Sequence, residues 1–416
     1  MTEPRLSPIA AGQRIERLDV LRGFALLGIL LMNIESFVGP MYESMDGVNP
    51  ALAGADRTVD ALIYFFVQGK FFTLFSLLFG MGFVVMAQRA AAAGRPFAGL
   101  YARRSLALLA IGLIHALLIW SGDILVSYAL VSFLLLAFRD MPMRGLIVLA
   151  ILAILGPLAL MMLFGALGSL MQSTPELAAQ WEELMSGQNE MLATMIDGQR
   201  QAYGSGGFIE ATVQRARDLG MNLSNLLMLG PLVLGMFLFG AALIRSGAMV
   251  EPARHRRLFA RLRWIALPAG LALMAASYLL MPTLDQRNID LRMSTAFSLG
   301  MLAGVLMCLG YAAWLVRALE SPALARPLSW LAPAGRMALS NYLLQSLICT
   351  LIFYGYGLGY FEQLPRAWQP LFVLALFALQ VMLSRWWLRR FQFGPAEWLW
   401  RAATYLQRPP MRRRAA

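Results

Sequence analysis

The chain has 416 residues, of which 59% are hydrophobic and only 14% are charged, and its mean hydropathy is +0.62. Soluble globular proteins carry about 25% charged residues. This composition therefore excludes a soluble globular protein and predicts an all-α bundle that crosses a membrane several times. The formal net charge of +12 comes from arginines spread between apolar segments, which indicates membrane orientation rather than nucleic-acid binding. Cys308 and Cys349 lie inside apolar runs, which favours small buried side chains over a disulfide.

Ten segments are predicted to span the membrane as helices, because each approaches the roughly 20 mostly apolar residues that a crossing needs. In chain order they are residues 18–38, 59–88, 105–120, 124–138, 145–171, 223–244, 264–281, 294–316, 337–358 and 370–388. The first segment is not followed by the small-residue cleavage site of a signal peptide, so we expect it to persist as a helix.

Arginines and acidic residues alternate between successive loops. Acidic residues dominate the loop after the first span and the loop 172–222. Arginines dominate the segment before the first span, the loop after the second span, the loop after the sixth span and the C-terminal tail. Positively charged loops stay in the cytoplasm, so both termini are predicted to lie there. The arginines that set this orientation are Arg14, Arg17, Arg89, Arg95, Arg103, Arg104, Arg245, Arg254, Arg256, Arg257, Arg261, Arg263, Arg408, Arg412, Arg413 and Arg414.

The segment 59–88 is too long for one perpendicular helix. Residues 71–88 alone could cross, which would leave 59–69 as an outer helical extension and Lys70 near the outer interface. A tilted or kinked helix is the alternative.

The loop 172–222 has an amphipathic, helix-compatible first half that the sequence YGSGG interrupts at residues 203–207. We expect a short lid on the outer face. The chain is interpreted as one membrane domain, with five-helix parts at 18–171 and 223–401, the lid at 172–222 and a basic cytoplasmic tail at 402–416.

Polar side chains within apolar spans are costly and indicate functional sites. Near the cytoplasm, Asp19 and Arg22 lie one turn apart on the first helix and can pair. The ninth span begins with a second polar group, formed by Arg336, Ser340, Asn341 and Gln345. Together these groups predict a basic, amide-rich vestibule for an anionic ligand. The alternative is interface anchoring and amide hydrogen bonding between helices.

A second polar layer is predicted near the outer face. His115 is the only histidine inside a span, and it lies about 7 Å of helix rise below the outer mouth. A histidine there can move protons near neutral pH, with Asp123 or Glu35 as the carboxylate that fixes its tautomer. A packing histidine bonded to a backbone carbonyl is the alternative. The candidate catalytic residues of this layer are His115, Asn33, Asp123, Glu35, Lys70 and Ser121.

No metal site is predicted. The two histidines, His115 and His255, are far apart in the chain, and no close spacing of cysteine, aspartate and glutamate accompanies either of them.

Several stretches together resemble the YeiB-like family of bacterial inner-membrane proteins, whose C-terminal part is a domain of unknown function. They are RLDVLRGFALLGILLMNI, GKFFTLFSLLFGMG, IGLIHALLIWSGDIL, GPLVLGMFLFGAAL, GRMALSNYLLQS and FGPAEWLWR. The opening also resembles, more distantly, the transmembrane acyltransferases, which include heparan-α-glucosaminide N-acetyltransferase. The shared pattern is Asp19, Arg22 and Gly23 at the start of the first helix and Asn33 near its end.

The acyltransferase resemblance implies that acyl-CoA arrives from the cytoplasm and that its acyl group reaches a glycan hydroxyl or amine on the other side. Arg22, Arg103, Arg104 and Arg336 would then be candidate partners of the CoA phosphates. The heparan enzyme has a catalytic histidine in the loop after its first helix. The corresponding loop here has none, so a role for His115 is not inherited from that motif.

Two functions are therefore predicted as the main alternatives, and a non-catalytic scaffold or lipid-binding protein is the third. The first is an integral-membrane acyltransferase, with acyl-CoA as co-substrate and acetyl as the expected acyl group. His115 would be the general base or accept the acyl group itself, and Asn33, Lys70 or Ser121 would stabilise the oxyanion.

The second is a transporter or flippase in which the two polar layers are gates. Either protein would lie in the bacterial inner membrane among lipids. It would meet a glycan or lipid-linked substrate, with no nucleic-acid partner, and a homodimer is one possible assembly.

Overall fold

The computed structural model describes residues 15–285 and 287–413, which fold into helices joined by short connections. Arg14 and Arg414, two of the arginines used to predict orientation, lie outside these ranges. The helices are α1 (Glu16–Val38), α2 (Gly54–Phe66), α3 (Lys70–Ala92), α4 (Phe97–Leu118), α5 (Leu125–Leu134), α6 (Met143–Met171), α7 (Pro175–Gly204), α8 (Phe208–Arg245), α9 (Arg256–Arg261), α10 (Leu267–Leu280), α11 (Leu291–Leu319), α12 (Pro322–Leu328), α13 (Ala332–Arg336), α14 (Ala338–Phe353), α15 (Gln369–Arg390) and α16 (Pro395–Tyr405).

This architecture confirms the predicted all-α, multi-pass membrane bundle. In the part of the chain described, eight helical runs are long and apolar enough to cross a membrane. A ninth crossing is possible where Pro322–Arg336 and Ala338–Phe353 form a helix pair bent by 77°. All ten predicted spans contain helix.

The predicted span 124–138 is shorter than expected. Its helix, α5, has ten residues, or about 15 Å of rise, against a hydrocarbon thickness of roughly 30 Å. The turn before it, including Trp120 and Ser121, is buried within the protein. Non-helical backbone is tolerated at membrane depth only where protein or a water-filled cavity surrounds it.

Hydrogen bonds show which loops lie at the same end of the bundle. At one end, which we call the inner end, Arg17 donates to the Val250 carbonyl and Trp400 to the Arg104 carbonyl. At the opposite, outer end, the Glu362 amide donates to the Val38 carbonyl at 2.6 Å. The arginine-rich loops therefore lie together at the inner end, away from the acidic ones.

The long second segment is two helices rather than one. α2 and α3 are separated at Val67–Gly69, and Gly69 has a left-handed φ of 82°. Lys70 begins α3. Because Gly54–Ala92 together form one run of 39 residues that is apolar enough to cross a membrane, the outer extension and the kinked helix both stay predictions. The lid is also helical: α7 fills most of it, and the break falls at Ser205–Gly207, within the predicted YGSGG stretch.

The centre of the bundle depends on close contact between α3 and α8. A Cβ atom on Gly80 would lie 1.9 Å from the Phe237 carbonyl oxygen, and one on Gly240 would lie 1.9 Å from that of Leu77. Small residues allow helix backbones to approach closely in membranes, where packing replaces the hydrophobic driving force. This contact fixes the framework beside which the cavities described below are built.

Candidate functional site: a basic inner cavity and a buried histidine–aspartate pair

Four arginine side chains converge at the inner end. Two adjoining cavities of about 190 and 210 Å³ share Arg22, Arg104, Arg336 and Arg401, each from a different segment of the chain. We call this shared region the basic mouth; its remaining members are Gly82 and Glu397. Positive charge exceeds negative charge in the mouth, so its electrostatics suit an anion.

Local contacts hold these arginines. The Arg22 guanidinium donates to the Asp19 carboxylate at 2.9 Å, and Asp19 also lines the first cavity. The Arg104 guanidinium lies 3.6 Å from the ring centroid of Trp400. Stacking on tryptophan stabilises a cation without using its hydrogen-bond donors, which leaves those of Arg104 for other partners.

Glu397 anchors α16 under the mouth. Its carboxylate accepts hydrogen bonds from the Leu339 amide at 2.7 Å, from the Ser340 amide at 3.1 Å and from the Ser340 hydroxyl. Burial raises the pKa of Glu397, and these hydrogen bonds act in the opposite direction. The contacts tie α16 to the start of α14, so they fix the position of Arg401 one turn further along.

The second cavity extends from the basic mouth into the bundle. Its walls there are the apolar side chains Ile29, Phe75, Leu78, Phe79, Leu108 and Leu125, followed by Ile124, Tyr128 and Tyr342. We call this part the apolar arm. Phosphate-like charge would be stabilised at the mouth, and an uncharged chain would be favoured in the arm.

His115 and Asp123 form a buried pair next to the arm. The His115 Nδ1 atom lies 2.7 Å from the Asp123 Oδ2 atom, and each side chain is 1% exposed. The other oxygen of Asp123 accepts from the Val126 amide at 2.7 Å, in the first turn of α5. Since a carboxylate accepts, Nδ1 carries a proton, and in the neutral ring Nε2 then keeps a lone pair.

The chain folds back after α4 to make this pair. The amides of Ile119 and Trp120 both donate to the His115 carbonyl, which ends the helix and turns Asp123 toward the histidine ring. The His115 Nε2 atom is buried and has no hydrogen-bond partner within residues 15–285 and 287–413. The Tyr342 ring, which lines the apolar arm, lies 5.1 Å from the His115 ring, centroid to centroid.

The outer layer does not form one site. Ser121 donates to Asp218 at 2.7 Å in a buried cluster with Tyr203 and Gln214. This cluster joins the lid helix α7 and the start of α8 to the α4–α5 turn. The predicted role of Ser121 at the oxyanion is therefore not supported by its geometry, because its hydroxyl is already committed to Asp218.

Glu35 lies in a separate ion-pair network. Its carboxylate and that of Asp60 both contact Arg366 at 2.9 Å, and Arg366 also donates to Gln369 at 2.7 Å. The expectation that Glu35 pairs with His115 is wrong, because a buried arginine from the distant segment before α15 takes this carboxylate.

Lys70 is also separate from His115. Its ammonium group donates to the Tyr64 carbonyl at 2.9 Å and lies 3.4 Å from the sulfur of Met274. These partners come from α2 and α10, and the residue is 2% exposed. Lys70 thus packs where α2 meets α3, and it does not line the apolar arm.

Most of the predicted amide group of the ninth span joins helices. Asn341 donates to Ser384 at 2.9 Å, and Gln345 donates to Gln380 at 2.8 Å, so both amides bridge α14 to α15. Ser340 bonds Glu397, as described above. Arg103 donates to the Thr404 carbonyl at 3.2 Å and does not line either cavity. These four residues support the site and are not placed to contact a ligand in the mouth.

Asn33 remains a candidate by position. It lies eleven residues after Arg22 and four after Ile29, so all three fall on one face of α1. Asn33 is half-buried, and its side chain makes no hydrogen bond to another described residue.

Sequence reasoning missed Glu397, Arg401 and Tyr342. Glu397 and Arg401 belong to the stretch FGPAEWLWR, and Tyr342 to GRMALSNYLLQS, both of which carried the family resemblance. Their positions relative to Arg104 and His115 depend on tertiary contacts. Within the chain that the structure describes, no three histidine, cysteine, aspartate or glutamate residues are arranged to hold a metal ion.

The fold and the buried polar site define a multi-pass helical membrane protein with an internal cavity. Residues 243–407 match a family described as a protein of unknown function (DUF418). The chain is 37% identical to the uncharacterized protein YxaH of Bacillus subtilis strain 168, with 98% of each chain covered. It is 33% identical to the uncharacterized protein YeiB of Escherichia coli K12, over 94% of this chain and 96% of the relative.

The chain therefore belongs to the YeiB-like (DUF418) family. The similarity covers 94–98% of the chain, so it extends over the N-terminal half as well as the C-terminal part.

Proposed function

We propose that this protein is an acyltransferase of the bacterial inner membrane that takes an acyl group, expected to be acetyl, from cytoplasmic acyl-CoA and gives it to an acceptor at the outer face. One observation carries the proposal. A cavity with four arginines at its mouth runs toward a buried histidine–aspartate pair. Together they offer an anion-binding surface and a general base to one molecule.

The distance between these two features suits coenzyme A. Arg104 and His115 lie eleven residues apart on α4, which is about 16 Å of helix rise. The arm of coenzyme A between diphosphate and sulfur has twelve bonds, comparable to four residues of extended backbone, or roughly 14 Å. With its phosphates among the arginines, the thioester would lie near the end of the apolar arm.

The roles of the paired residues follow from their hydrogen bonds. Asp123 orients the His115 ring and stabilises the imidazolium that forms when Nε2 takes a proton. An acceptor hydroxyl or amine deprotonated by Nε2 attacks the thioester carbonyl carbon. The acceptor is proposed to be a glycan or lipid-linked molecule that arrives from the outer side, past Trp120 and the lid helix α7.

Transport is the alternative function, and its predicted proton relay used Glu35 or Asp123 with His115. Glu35 pairs with Arg366 instead, which removes one of the two relays. The remaining pair, His115 with Asp123, serves a base-catalysed transfer equally well. The basic mouth adds a binding site for the acyl donor, which a proton relay does not require. We therefore propose the transferase alone.

A sidedness assay tests the proposal. Inverted membrane vesicles from a deletion strain that expresses the protein receive radiolabelled acetyl-CoA on their cytoplasmic face, and the glycan and lipid fractions are then extracted. We expect label in these fractions with the native protein and at least about a hundredfold less with His115→Gln. His255→Gln, which changes a half-buried histidine at the inner end, is the matched control. Undiminished labelling with His115→Gln would overturn the proposal.

A further inference from the structure

A second group with an unused polar atom lies beside His115. The Tyr342 ring is 6% exposed, lines the apolar arm and contacts the His115 ring. Its hydroxyl oxygen is buried and makes no hydrogen bond of good geometry to the described residues; the Ile124 backbone lies near this oxygen, and the hydroxyl proton has no acceptor among them. Buried hydroxyls are normally satisfied, because leaving one unpaired costs free energy.

The neighbouring residues show that this lack of a partner is local. Asn341, the preceding residue, is bonded to the Ala334 carbonyl and to Ser384. Tyr128, which also lines the arm, is bonded to Ser76 and to the Phe72 carbonyl at 2.8 Å each. The site thus holds α14 firmly while polar atoms of two neighbouring rings, Tyr342 Oη and His115 Nε2, are left for a ligand.

We infer that Tyr342 is a further catalytic residue, whose hydroxyl donates a hydrogen bond to the carbonyl oxygen of the acyl group. The inference rests on the proposed function. Donors aimed at the oxygen where negative charge develops are among the largest contributions to acyl transfer. Tyr342 takes the oxyanion role that the sequence had suggested for Asn33, Lys70 or Ser121. The donors of Lys70 and Ser121 are committed elsewhere.

The step balances as follows. The acceptor oxygen or nitrogen forms a bond to the thioester carbon while its proton moves to His115 Nε2. The carbonyl oxygen becomes an oxyanion that accepts the Tyr342 hydrogen bond. The carbon–sulfur bond then breaks, and the leaving sulfur takes the proton from His115. The products are the acylated acceptor and free coenzyme A, and no redox partner is needed.

Tyr342→Phe tests this role because it removes only the hydroxyl. In the vesicle assay with acetyl-CoA varied, we expect kcat to fall roughly a hundredfold, with the KM for acetyl-CoA within threefold. Tyr101→Phe is the matched control. The Tyr101 hydroxyl is also buried and makes no hydrogen bond of good geometry in the described chain, with Ser105 and Ser132 nearby. Its ring packs against Phe83 and Phe97 and lines neither cavity. We expect this control to keep kcat unchanged.

A second variant keeps the test decisive if Tyr342→Phe folds poorly. Fluorotyrosine at position 342 retains both shape and hydroxyl, and we expect it to retain kcat within tenfold. A kcat for Tyr342→Phe within threefold of the native value, or a loss seen only in KM, would overturn the role of Tyr342 and leave the transferase standing. If the native protein transfers nothing from acetyl-CoA, the proposed function fails as well.

Discussion

His115 owes its orientation to one neighbour. Asp123 holds Nδ1 at 2.7 Å and at the same time accepts from the Val126 amide at the start of α5. One carboxylate therefore sets both the histidine tautomer and the direction of the following helix. This double use explains why a costly carboxylate is kept where the side chain is 1% exposed.

Asp123→Asn separates these two uses. The amide oxygen can still accept from Val126, so we expect the protein to fold. The amide nitrogen donates to Nδ1 instead of accepting, which moves the ring proton to Nε2 and removes the base. We predict a fall in kcat of about 10²–10⁴ in the vesicle assay. Asp140→Asn, at an exposed carboxylate paired with Arg139, should retain full rate, and equal rates for the two variants would contradict this role.

Side-chain pairs could be predicted from the sequence where the two partners lie close together in the chain. The pair of Asp19 with Arg22 is three residues apart on one helix, so its spacing predicted it. His115 and Asp123 are eight residues apart, and their pairing required the turn to fold back, as it does. Glu35 could not be placed in this way, because its partner Arg366 is over three hundred residues away.

Helix α8 combines a close contact at its inner half with an open stretch at its outer half. Gly240 touches the backbone of α3, but a Cβ atom on Gly220 would meet nothing within 4 Å. The sequence placed Gly240 in the span 223–244 and Gly220 at the end of the loop 172–222. It could not show how closely another helix approaches either position, because that depends on which neighbour packs there.

Gly240→Ala is expected to destabilise the bundle, because the added methyl group would overlap the Leu77 carbonyl oxygen at 1.9 Å. We predict a loss of about 1–3 kcal/mol in the free energy of unfolding. Thermal unfolding in detergent measures this effect. Gly220→Ala is the control on the same helix, and it should be neutral or stabilising by up to about 1 kcal/mol. A Gly240→Ala protein as stable as the Gly220→Ala protein would show that α3 and α8 are not in backbone contact.

The whole molecule separates basic loops from acidic ones, and this was predictable because charge alternation is a property of the sequence itself. The number of crossings was less predictable. The short helix α5 and the bent pair formed by α12–α14 depend on how other helices cover them. The basic mouth was only partly foreseen, because α16 returns to the bundle and supplies Arg401 there.

Cysteine labelling tests the orientation. Cys308 and Cys349 are both buried, so neither should react with a membrane-impermeant maleimide. The two native cysteines therefore need not be replaced before a single new cysteine is introduced. Glu183→Cys on the lid helix α7 should be labelled in intact cells, and Arg408→Cys, beyond α16, only in inverted vesicles. The reverse pattern would place the arginine mouth on the outer face and rule out cytoplasmic acyl-CoA as the donor.

The most direct test of one passage that joins the basic mouth to the histidine–aspartate pair is a cryo-electron microscopy structure of the protein with coenzyme A in nanodiscs. We predict density for the phosphates among Arg22, Arg104, Arg336 and Arg401, with the sulfur at the end of the apolar arm near His115 Nε2 and Tyr342 Oη. Coenzyme A bound outside the arm, or with its sulfur directed away from His115, would contradict the proposed transfer.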